Sequence, residues 1–126
     1  MTETKQDKVF DFFQHLMFVK LISAGKSNLS DKYADMVKQG YDMAFDILKD
    51  AIKRNNVGLY NRILIATGDL VPYAGLKKQM AHPEVYPTLL QYKSDFLKKL
   101  NEYLTTHKDF TQKYHAFLQN TDRQIR

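Results

Sequence analysis

Cysteine is absent from the 126 residues. That excludes disulfide stapling and thiolate-bound metal, and it permits a reducing compartment. Glycine and proline are scarce, at five and three. The glycines are scattered, with no GxGxxG, GxxxxGK or GxSxG among them. Neither a phosphate-cradling loop nor a nucleophile elbow is therefore encoded. Histidine is also sparse: His15, His82, His107 and His115 include no HExxH or ExxH pattern. His107 and His115 stand roughly 12 Å apart along a helix, too far to share one ion. Long apolar runs are missing as well. The most apolar stretch, Val9 to Ala24, is broken by Asp11, Gln14, His15 and Lys20 and is too short to span a bilayer. The N-terminal residues MTETKQDK lack the charged-then-apolar order of a secretory signal. The expectation is a soluble cytoplasmic protein without membrane segment, cofactor, metal or catalytic centre.

The chain carries a net charge of +5, but no basic block. Residues 1–63 hold 10 Lys/Arg and 8 Asp/Glu; residues 64–126 hold 9 and 6. A nucleic-acid binder usually concentrates its charge, whereas here the excess is spread thinly over mixed faces.

What is present is helical periodicity. Ser30 to Arg54 gives the clearest amphipathic pattern. Tyr33, Met36, Val37, Gly40, Met43, Ala44, Ile47, Leu48 and Ala51 share one face, with Asp and Lys residues opposite. Ser30 suits the N-cap. Gly40, Ala44 and Ala51 form a small-residue notch for a neighbouring helix. An earlier helix, about Asp7 to Ala24 and stopped by Gly25, is apolar nearly all round, which places it at the centre of a bundle or in an interface. Asn55 and Asn56 end one helix and cap the next, Val57 to Thr67, which Gly68 stops. Asp69 can cap a short, irregular fourth helix over residues 70–81, and residues 81–87 read as a loop. From Thr88 to Gln119 the apolar residues recur at steps of three and four. They specify either one long or kinked helix, the favoured reading, or two helices that break near Thr105–Asp109, with the β-branched pair Thr105–Thr106 as the weakest point. Residues 1–6 and 120–126 are expected to be loose ends. No alternating strand pattern is found. The fold class is all-α: a single helical domain over residues 1–126, built as a bundle of four to six helices. The first, second and C-terminal helices form its core, and the third acts as a connector.

Function follows less directly. Asp42, Asp46 and Asp50 line one face at four-residue steps, as oxygen ligands of a cation could. Neighbouring Lys38, Lys49, Lys53 and Arg54 make charge pairing on a wet face the simpler reading. The favoured function is binding to another protein, or to a second copy as a homodimer, through Phe12, Phe18, Ile22, Tyr41 and Tyr86. Phe18 and Ile22 fall among polar residues of the first helix, and amphipathic aromatics often serve interfaces. The alternative is sequence-tolerant nucleic-acid binding through Arg62, Lys77 and Lys78, in a stretch (residues 59–79) with a poor match to a helix-turn-helix. A weaker alternative is a small-molecule pocket near Gly40 and His107.

Overall fold

The computed structural model describes residues 5–23, 30–71 and 83–125, with side chains described for 8–22, 32–71 and 84–120. Within them the chain forms five α-helices and no strand: α1 (Lys5–Ser23), α2 (Ser30–Lys53), α3 (Val57–Thr67), α4 (Tyr86–Thr105) and α5 (Lys108–Ile125), with a 3₁₀ turn at Pro83–Val85 before α4. The all-α bundle expected from periodicity is what the chain adopts.

α2 is the axis of the bundle. It packs against α1, α3 and α4. Its stripe is correspondingly wider than one neighbour would need: Tyr33, Val37, Tyr41, Ala44, Ile47, Leu48, Ala51 and Ile52 are all buried. Each large aliphatic among them contributes about 1.5–3 kcal/mol by leaving water. The notch at Gly40 works as expected of small residues, but its occupant is a side chain from beyond α3. A Cβ built on Gly40 would lie 2.5 Å from Leu70 Cδ2, so any larger residue there would force the Leu70 side chain to shift.

The α2–α3 corner is built by local chemistry. Asn55 takes a left-handed backbone, φ 55°, which asparagine tolerates better than most residues. The amides of Asn55 and Asn56 bond back to Ile52 O and Ala51 O at 3.1 and 2.8 Å. This is the Schellman pattern that satisfies the last carbonyls of a helix. Asn56 then accepts from the Leu59 amide at 3.2 Å, capping α3.

Four expectations about architecture change. α1 is peripheral rather than central, because α2 takes the central place and α1 packs mainly on it. α3 is more than a connector, since Tyr60, Ile63, Ala66 and Thr67 are buried against its neighbours. α4 starts at Tyr86, inside the expected loop, because Pro87 falls in the first turn, where its missing amide costs nothing. Of the two readings of the C-terminal pattern the chain adopts the two-helix one, broken at Thr106 and His107 within the expected window, but α5 runs on to Ile125 where a loose end was expected. Residues 5 and 6 are likewise helical. The stop at Gly25, the Ser30 side chain, and most of the expected fourth helix lie outside the described residues.

Candidate protein-interaction surface

α1 begins with more apolar residues than α2 can cover. Phe12, Leu16, Val19 and Ile22 point into the core and are buried. Phe12 meets Phe13 edge to face at 5.4 Å. His15 sits beside this face and donates from Nε2 to Met36 O at 2.6 Å, tying α1 to α2. Asp11, one turn earlier, is exposed. Lys20, which the sequence places in the apolar sector, escapes to the surface and pairs with Asp69 at 3.1 Å. Lys8 reaches Asp46 of α2 at 3.9 Å.

The opposite side of α1 is the unusual surface. Phe10 is 55% exposed, Met17 66%, Phe18 53% and Leu21 49%. At ~100° per residue, Phe10, Met17 and Leu21 fall within about 40° of one another, and Phe18 lies about 60° farther round. Half-buried Phe13 borders the stripe on its other side, with the Arg62 guanidinium 5.0 Å from its ring centre. Four side chains half out of water uncover on the order of 400 Å², the scale of the largest apolar patch on a typical monomer. Four such residues on one helix face exceed the Leu90/Leu97 pair of α4 and the single exposed Ile65 of α3 and Leu118 of α5.

Burial removes four of the five expected contact residues from the accessible surface. Phe12 and Ile22 belong to the α1–α2 core. Tyr41 is covered by Phe96 of α4, ring centres 4.8 Å apart, and burial pushes its phenol pKa well above the ordinary tyrosine value. Tyr86 is buried at the start of α4. Phe18 alone stays exposed. Phe10, Met17 and Leu21 were missed because the wheel of α1 is apolar on both sides. Sequence cannot say which side meets α2.

The other expected sites fare differently. Arg62 is exposed but stands over Phe13, so one of the three cations expected for nucleic acid already covers an apolar ring. Lys77 and Lys78 lie outside the described residues, as does most of the second half of the helix-turn-helix-like stretch. Among the described residues the space at Gly40 is taken by Leu70. His107 stacks on Tyr103, centres 4.4 Å apart, and lines a pocket of about 480 Å³ at the α4–α5 break, away from Gly40. Two aspartates of the α2 row are charge-paired: Asp46 with Lys8 and Lys49, and Asp50 with Arg54 at 3.4 Å. Among the described residues no group of three or more His, Asp or Glu is placed to hold a metal, and no helix is long and apolar enough to cross a membrane.

A groove of about 460 Å³ runs between α2 and α4 over Tyr41, Phe45, Tyr92 and Phe96. Its ring faces are used internally. Lys38 stands 5.9 Å from the centre of Tyr92, and Lys49 and Lys99 stand 4.9 and 5.8 Å from that of Phe45. Asp42, Asp95 and Glu102 share the rim with these lysines, so the groove favours neither sign of ligand charge.

No family model, curated protein or solved structure matches this chain.

Proposed function

We propose that this is a protein-binding helical bundle whose contact element is the outer face of α1. The observation that carries the reading is the exposure of Phe10, Met17, Phe18 and Leu21 on one face of a helix whose other face is already committed to α2. Covering on the order of 400 Å² of apolar surface contributes about 10 kcal/mol at ~25 cal/mol per Å². The rigid-body cost of association is of similar size, roughly 4–15 kcal/mol. The face therefore supports a reversible complex, with exposed Gln14 inside the stripe and Arg62 and Asp11 at its rim setting orientation. A partner presenting its own apolar helix face meets these requirements.

The test is a pair of substitutions at the exposed positions. Met17→Asp and Phe18→Asp are expected to retain wild-type helicity and cooperative unfolding while weakening association at least tenfold. Loss of the fold would place these side chains in the core and end the reading. Unchanged association would move the contact surface off α1.

A further inference from the structure

We infer that α4 and α5 are two halves of one helix, and that by straightening at Thr106–His107 two copies of this chain can exchange α5. The apolar stripe does not reset at the break. Leu100, Tyr103, His107, Phe110, Tyr114 and Phe117 follow one another at steps of 3, 4, 3, 4 and 3 residues, the spacing of a heptad seam. A break dictated by sequence normally shows a glycine, a proline or a shift of phase. None of these occurs here.

The two corners of the bundle differ in construction. At α2–α3 a left-handed Asn55 and a capping Asn56 enforce the turn. At α4–α5 the backbone departs from helix only slightly, with Thr106 at φ −94°, ψ 2°. The amides of Thr106 and His107 still bond three residues back, to Tyr103 O and Leu104 O, at 3.2 and 3.0 Å. The break is held by side chains competing for the same carbonyls. Thr105 Oγ1 donates to Glu102 O, and Thr106 Oγ1 and His107 Nδ1 both approach Tyr103 O, at 2.8 and 3.0 Å. Straightening replaces these by ordinary helical amide bonds.

α5 is held by a small, separable set of contacts. Tyr114 donates to Asn61 Oδ1 at 2.8 Å. The Tyr60 ring lies 4.9 Å from Phe110 and 4.7 Å from Tyr114. A straightened monomer would leave buried Tyr60 and Phe110 in water. In an exchanged dimer the second copy's α5 restores the same contacts. This makes the exchanged pair, rather than an extended monomer, the alternative state.

The cysteine-free chain permits a direct test. Chains carrying Asn61→Cys and chains carrying Tyr114→Cys are refolded together at high concentration, with and without Thr105→Ala and Thr106→Ala, and treated with a short bis-maleimide. Exchange predicts a dimer covalently linked between the two kinds of chain. The alanine pair removes the competing side-chain bonds and raises helix propensity, and is expected to tighten that dimer about tenfold. Two glycines inserted after Thr106 are expected to abolish it. Absence of linked dimer in the alanine background overturns the inference. So does a dimer that remains unlinked and is lost on Met17→Asp, which would belong to α1 instead. One chain carrying both cysteines must cross-link internally as a monomer. This control separates a failed exchange from a damaged α3–α5 contact.

Discussion

Gly40 shows how one hydrogen atom sets a helix spacing. Glycine within a helix costs about 1 kcal/mol relative to alanine, yet the alanine Cβ would meet Leu70 Cδ2 at 2.5 Å. Leu70 is fully buried, so its side chain must repack to admit the methyl group. Overpacking of this kind costs about 1–3 kcal/mol, so Gly40→Ala is expected to destabilise by about 1 kcal/mol net. Combining it with Leu70→Ala should recover part of the loss, a coupling that a double-mutant cycle in denaturant would read. Simple additivity would mean that the clash is relieved elsewhere. At the α2–α3 corner, Asn56→Ala removes the acceptor for the Leu59 amide and is expected to cost about 1 kcal/mol, read from the same denaturation curves. Both residues were legible in the sequence, glycine through its position on an apolar face and asparagine through its place between two helical patterns. Leu70 as the occupant of the notch was not, because periodicity says nothing about which distant residue fills a gap.

At the scale of elements, α1 divides into two faces with opposite expected responses. Phe12→Ala opens a cavity in the core and is expected to cost about 3–5 kcal/mol. Phe18→Ala, on the outer face, should change stability by less than about 0.5 kcal/mol. Thermal unfolding of the two variants checks this directly, and equal losses would mean that the outer face is covered in the folded chain. α2 and α3 could be bounded from sequence because each has a one-sided stripe or a pair of caps. α1 could not be oriented because its apolar residues occupy more than half the wheel. The break between α4 and α5 was visible only as the β-branched pair Thr105–Thr106, without a stop residue, and the unbroken stripe argued for continuity. That disagreement between a continuous pattern and a broken helix is the basis for the exchange of α5.

For the whole molecule, the core contains tyrosines that resist ionisation. Burial, aided by the nearby Tyr114, pushes the Tyr60 phenol from 10.0 up to about 12, and burial raises Tyr41 and Tyr114 as well. Above pH 10 the unfolded chain releases phenolic protons that the folded chain keeps. The unfolded state then binds fewer protons, so stability is intact below pH 10 and falls as pH rises toward about 12. Tyr60→Phe is expected to move alkaline unfolding to higher pH, and an unchanged midpoint would remove Tyr60 from that transition. The fold class was readable because helical periodicity is a property of the chain itself. The interaction surface was not, because exposure depends on how the helices assemble. The most direct measurement of the central claim is affinity capture from the source cell's lysate, after nuclease treatment, with wild type and the Met17→Asp/Phe18→Asp double variant side by side. A stoichiometric protein partner that survives nuclease and is lost with the double variant is the expected result. A partner held equally by both baits, or capture that vanishes with nuclease, would contradict the assignment of α1 as the binding element.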